Sequence, residues 1–139
     1  MFKKILSTLL VVAMLASMCV AFASCGGPNA DPEKALDALK ENGVKWATKD
    51  STIQPAIYRA AGINGVETVV SGTGEIDGEF AHITILYFEN SNYAKEEWED
   101  ILEYADEEKK DDVKDSEWVC KRSGKMIYFG TKNAIEAAK

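Results

Sequence analysis

The chain has 139 residues, 46% of them hydrophobic and 28% charged, which suits one globular domain. Residues 1–24 hold two charges, Lys3 and Lys4; the other 115 carry 14 basic and 23 acidic side chains, a formal net charge of −9. So acidic a chain excludes nucleic acid as a partner and predicts repulsion from anionic lipid headgroups, while three Trp, five Tyr and three Phe in this part exclude a disordered chain.

Lys3-Lys4 followed by the uncharged run from Ile5 to Ser24 reads as the n-region and h-region of a secretory signal. The run is also about the ~20 residues that would span a bilayer. Ala21, Ala23 and Ser24 are small residues that fit a peptidase site, and Cys25 follows them directly. Phe22-Ala23-Ser24-Cys25 resembles the lipobox of bacterial lipoproteins, although Phe22 stands where that motif usually has Leu, Val or Ile. The resemblance implies cleavage before Cys25, a diacylated Cys25 as the mature N-terminus, a palmitate-like membrane anchor, and a domain on the outer face of the cytoplasmic membrane. Cys19 is the weaker choice, because Met18 before it is not small. Two acyl chains hold a protein stably where one binds marginally. Residues 25–30, with Gly26-Gly27-Pro28, read as a flexible tether, and residues 31–139 as the domain. Cys120 is then left without an intramolecular partner, which excludes a disulfide framework and a Cys-rich metal site.

Asp31-Pro32-Glu33 starts a helix with Ala35, Leu36 and Leu39 on its apolar stripe and Gly43 as its stop. Val44, Trp46 and Thr48 alternate with lysines as a short strand, and Pro55 to Ala61 reads as one or two helical turns. Val66–Glu75 and Phe80–Phe88 flank Asp77-Gly78, the dipeptide of a type I′ hairpin turn. That turn pairs Ile76 with Glu79, Thr73 with His82 and Val70 with Ile85. One face then carries Val66, Val70, Ala81, Ile83, Ile85 and Tyr87, and the other Val69, Thr73, Phe80, His82, Thr84, Leu86 and Phe88. A bulge at Gly72 or Gly74 would exchange the faces beyond it. Asn90 opens a long helix with Ala94, Trp98, Ile101, Leu102 and Ala105 in one stripe, giving way to a charged loop from Asp106 to Asp115. A second hairpin around Ser123-Gly124 pairs Arg122 with Lys125, Cys120 with Ile127 and Trp118 with Phe129. Thr131 then begins a closing helix with Ala134, Ile135 and Ala138 inward. Hairpins dominate over crossovers, which predicts an α+β two-layer sandwich: a mostly antiparallel sheet of about five strands with helices on one face.

The segments Asp31 to Gly43, Ile85 to Asn90 and Ser123 to Thr131 resemble a group of small lipoproteins of Gram-positive bacteria. The resemblance covers nearly all of the domain, its motifs are structural, and it supplies no catalytic residue.

The chemistry-bearing residues are sparse. His82 is the only histidine, so no zinc-type spacing exists and no cofactor is implied. Cys120 among Trp118, Ile127 and Phe129 reads as a small hydrophobe on a face away from His82. Ser71-Gly72-Thr73-Gly74 lacks the Lys-Ser/Thr and following helix of a phosphate loop and reads as strand glycines. Glu103, Asp106, Glu107, Glu108, Asp111, Asp112 and Asp115 interleave with lysines, fit no EF-hand and read as a solvated surface. The remaining feature is the second face of the first hairpin. If helices cover only the other face, Val69, Phe80, His82, Leu86 and Phe88 present an apolar patch to a protein or small ligand. The expectation is therefore a lipid-anchored, non-enzymatic binding module. The alternatives are a cell-envelope hydrolase with an acidic site, and a homodimer pairing two such faces.

Overall fold

The computed structural model describes residues 27–139; the leader and Cys25 lie outside the described residues. Four α-helices and five strands follow one another as α1 (Pro32–Glu41), β1 (Thr48–Asp50), α2 (Ile53–Ala60), β2 (Val66–Ile76), β3 (Glu79–Phe88), α3 (Ser91–Glu108), β4 (Trp118–Ser123), β5 (Met126–Thr131) and α4 (Lys132–Ala137). The sheet has the order β1-β2-β3-β5-β4, and every neighbouring pair is antiparallel. The class is α+β, a sandwich of helices on an antiparallel sheet, as the element order implied.

The helices divide between the two faces instead of sharing one. On the first face α1 and α4 lay Ala35, Leu39, Ala134 and Ile135 over Val70, Ile83, Ile85, Tyr87, Met126 and Tyr128. On the second face α2 and α3 lay Tyr58, Ala94, Ile101 and Ala105 over Val69, Leu86, Phe88, Ile127 and Phe129. The physical reason is that both faces of β3 and β5 are apolar, as strands buried on both sides must be. Each face with its helices forms a two-layer sandwich of its own.

The first hairpin pairs as its turn dictates, with Ile76 opposite Glu79, Thr73 opposite His82 and Val70 opposite Ile85. Asp77 and Gly78 take φ of 54° and 82°, the double positive φ of a type I′ turn. The irregularity lies between Val66 and Thr68, not at Gly72 or Gly74. It turns Val66 from the first face, where strict alternation placed it, onto the second beside Phe88. The second hairpin closes with Ser123 opposite Met126, so Cys120 faces Phe129 and Trp118 faces Thr131. That is a two-residue slip from the expected pairing, caused by the turn falling on Gly124-Lys125 with Gly124 at φ 60°. A slip of two keeps the same residues of this hairpin together on a face. Pairing of Ile127 with Leu86 and Phe129 with Thr84, however, turns Trp118, Cys120, Ile127 and Phe129 onto the second face of the sheet, away from the core face expected for them.

Two segments expected as loop or strand are built otherwise. Residues 27–30 are docked rather than flexible: Pro28 is buried, the Asn29 N–H donates to Ala138 O at 2.8 Å, and Tyr87 Oη donates to Asn29 O at 2.7 Å. Val44 to Ala47 forms a turn that buries Val44 and Ala47 and leaves Trp46 85% exposed. Gly72 makes that turn fit, since a Cβ there would come within 2.7 Å of Val44 Cγ1 and 3.0 Å of Ala47 Cβ. Beyond the turn, Asp50 accepts from the N–H groups of Thr52, Ile53 and Gln54 and starts α2 two residues before the expected Pro55. Those donors, Thr52 foremost, hold the Asp50 carboxyl below its usual range.

Candidate functional site

The expected binding residues separate into two groups. Val69, Leu86 and Phe88 are 2%, 0% and 1% exposed beneath α2 and α3 and form core, not surface. The apolar patch inferred for them is covered, and with it goes the face through which two copies were to pair. Phe80 and His82 are half-buried and remain accessible at the end of β3 that the two helices leave open.

At this open end the second face changes character. Alternate residues of β2 and β3 there are Ser71, Thr73, His82 and Thr84. Together with Gln54 and Tyr58 from α2, Tyr104 and Glu108 from α3, and Trp46 at the rim they line a cleft of about 400 Å³. Tyr58 meets Tyr104 edge-on at 5.8 Å between ring centres, and Tyr104 meets Phe129 at 6.0 Å, so the aromatic wall continues into the core. Burial, reinforced by Tyr104, pushes the Tyr58 hydroxyl well above its ordinary value. Glu108 is the one carboxylate of this lining, and its other polar groups are neutral at pH 7.

His82 is held from several sides. Its Nδ1 lies 2.9 Å from Thr73 Oγ1, its cross-strand partner, and its backbone N–H donates to Thr131 Oγ1 at 3.1 Å. Thr131 in turn donates to Asn133 Oδ1 at 2.5 Å, and Asn133 Nδ2 donates to Phe80 O at 3.1 Å. The His82 ring is stacked between Phe80, at 6.4 Å and 2°, and Trp118, at 6.0 Å and 6°. Lys110 Nζ sits 4.9 Å over the Phe80 ring. Desolvation lowers the His82 pKa, and Lys110 lowers it further against an opposing pull from Glu108, so the ring is neutral at pH 7. Two ring nitrogens of this stack, His82 Nε2 and Trp118 Nε1, are buried without a protein partner. An orphaned buried nitrogen is costly unless water or a ligand completes it.

The rings of the stack line separate depressions. Trp118 belongs to a groove of about 840 Å³ between α3 and β4 whose walls include Trp98, Glu99, Glu103, Asp106 and Cys120. The acidic residues here are solvated and partly paired, with Lys109 Nζ 3.2 Å from Asp115. Among the described residues no group of three or more His, Cys, Asp or Glu is arranged to hold a metal ion. Cys120 and His82 share the second face, contrary to the expected separation, because Trp118 on the Cys120 side stacks on His82. Burial raises the Cys120 thiol to about 11, so it is protonated at neutral pH and not a thiolate nucleophile. Sequence reasoning found His82 and Phe80 but missed Trp46, Gln54, Tyr58 and Tyr104, since helix and turn residues give no sign of which strand positions they approach.

No protein family, curated protein or solved structure matches this chain. Among the described residues no helix is long and apolar enough to cross a membrane.

Proposed function

We propose that this protein is a lipid-anchored module of the outer cell surface that binds a small, largely uncharged ligand rich in hydroxyl or amide groups. The observation that carries the binding reading is the cleft at the open end of the second face. It combines a floor of Ser71, Thr73 and Thr84, the half-buried His82 ring bonded to Thr73, and an exposed tryptophan at the rim. Clefts that take small molecules are built this way, with aromatic walls for area and a few converging polar groups for orientation. A sugar has the matching chemistry: hydroxyls for the floor and an apolar ring face for Trp46. The Thr73 hydroxyl, 2.9 Å from His82 Nδ1, fixes the orientation of the ring in the cleft wall.

The anchoring reading rests on the resemblance of Phe22-Ala23-Ser24-Cys25 to a lipobox. Fatty-acid labelling in cells tests it: the wild-type chain is expected to take up label and mature, and Cys25→Ala to remain an unlabelled precursor. Label in the variant would move the site elsewhere. Binding is tested by titrating the mature protein with an N-acetylated disaccharide, with maltose and with a short uncharged peptide amide, following tryptophan fluorescence and heat. Saturable binding that weakens at least about ten-fold in Thr73→Val and Trp46→Ala is expected, a loss of about 1.4 kcal/mol. Binding that is unaffected by both variants would place the ligand outside this cleft.

A further inference from the structure

The net charge of −9 predicts that anionic lipid repels this domain, but the charge is not evenly spread. β4 is an edge strand, and the surfaces beside its two faces differ in sign. Beside its second face the groove under α3 is lined by five carboxylates and one lysine. Beside its first face a depression of about 470 Å³ is lined by Lys121, Arg122 and Lys132, with Glu136 as its only carboxylate. Glu136 is itself engaged by Lys139 at 2.6 Å. The same depression is lined by Gly27, packed against the ring of Tyr128, so the chain leaves the domain toward Cys25 from within this basic surface.

We infer that the basic surface formed by Lys121, Arg122 and Lys132 is the membrane-docking face of the protein and contacts anionic phospholipid headgroups. The inference rests on the anchoring reading, and chain length makes it specific. Gly26 alone separates Cys25 from Gly27, so the lipid-bearing Cα lies within about 7 Å of the docked chain. Pro28 and Asn29 are fixed against the domain by burial and by the bonds to Ala138 and Tyr87, leaving no long tether to let it swing away. An acyl anchor at that point presses the basic surface against the headgroups. At physiological salt, interactions fade over about 8–10 Å, so at this depression the three local cations count for more than the carboxylates of the groove under α3. Acylation combined with a basic patch is also a stronger membrane signal than acylation alone. The docked domain then turns α3 and its acidic groove away from the bilayer.

The test uses the lipidated mature protein in vesicles of phosphatidylcholine alone and of phosphatidylcholine with one part in three phosphatidylglycerol. A membrane-impermeant amine reagent labels the lysines, and mass spectrometry reads each site. Lys121 and Lys132 are expected to label at least about three-fold more slowly in the anionic vesicles than in the neutral ones. Lys45, by the opposite sheet edge, and Lys95, on α3, should label equally in both. The Lys121→Glu/Arg122→Glu/Lys132→Glu variant, judged folded by its circular dichroism, should label at its remaining lysines identically in the two vesicle types. Equal labelling of Lys121 and Lys132 in the two vesicle types overturns the inference. So does protection that soluble polyphosphate produces in neutral vesicles but anionic lipid does not. The mass of the N-terminal peptide in the same digest reports the acyl chains, so failure of anchoring is seen separately from failure of docking.

Discussion

The two faces of the central sheet share one backbone and differ in what alternate residues do with it. On the first face, Val70, Ile83, Ile85, Tyr87 and Tyr128 run apolar and are closed over by α1, α4 and the Val44–Ala47 turn. On the second, Val69, Leu86 and Phe88 are equally buried under α2 and α3, but the same strands continue into Thr73, His82 and Thr84, where the cover stops. One side of the sheet is committed to stability along its whole length; the other is divided between core and cleft. A cleft can therefore be polar here at little cost, because the opposite face already holds the strands in place.

Among substitutions expected to leave a folded protein to measure, the largest effect falls on that shared backbone. Gly130 has φ of 151° and lies opposite Ile83, where an added Cβ would overlap the His82 carbonyl and crowd Ile83 Cα. Gly130→Ala is expected to cost about 3–5 kcal/mol through backbone displacement at the β3–β5 pairing. Urea unfolding would measure it, and a cost below about 1 kcal/mol would show that the strands can part there without loss.

Next come single truncations on the two sides. Ile85→Ala on the first face should cost about 2–5 kcal/mol and Phe88→Ala on the second about 3–5 kcal/mol. The second value is the sharper test, because an exposed Phe88 on an open sheet face would lose about 0.5 kcal/mol or less. Phe88→Glu should not fold, since it places an unpaired carboxylate under α3.

How far the sequence foretold this division follows from what each residue type constrains. Asp77-Gly78 admits one tight turn, so the register of the first hairpin and the facing of Thr73 and His82 were legible. Ser123-Gly124-Lys125 offers glycine without saying whether it comes first or second in the turn, and the pairing slipped by two. Alternation in β3 marked two apolar faces, yet nothing in β3 itself tells which helix covers which. α2, short and with Ile53 and Ile57 exposed, gave the weakest signal, and its position is what turned an open patch into core. The cleft was legible only as its strand half; Trp46 looked like one more alternating strand residue until Gly72 made room for a turn.

A smaller effect concerns pH and belongs to the second face alone. Burial holds the His82 pKa below the ordinary value of about 6.5 that the unfolded chain restores. Above that pH both states carry a neutral ring, and His82 contributes no pH dependence. As pH falls through it, the unfolded chain takes up a proton that folded His82 resists, so stability declines until the folded ring also protonates. His82→Gln should remove the decline between about pH 6.5 and 5, above the carboxylate range, as read by thermal unfolding midpoints in that window. An unchanged slope would mean that the stacked ring takes up its proton as readily as the unfolded chain.

The smallest expected change in stability falls on the residue most exposed to ligand. Trp46 is 85% exposed on a turn whose packing is carried by Val44 and Ala47 on either side of it. Its indole covers little of the protein, so Trp46→Ala should alter stability by no more than about 0.5 kcal/mol. A large aromatic side chain left so open has no role in the core, and in the proposed reading its apolar surface is covered only when the cleft is occupied. The contrast with Phe88 is then complete: one aromatic residue of the second face governs folding and leaves no surface for ligand, the other governs ligand and is nearly silent in folding. Unfolding and binding measured on the Trp46→Ala variant together decide the matter. Full stability with weakened binding keeps Trp46 as the rim of a site, whereas full stability with unchanged binding reduces it to an exposed side chain on a turn.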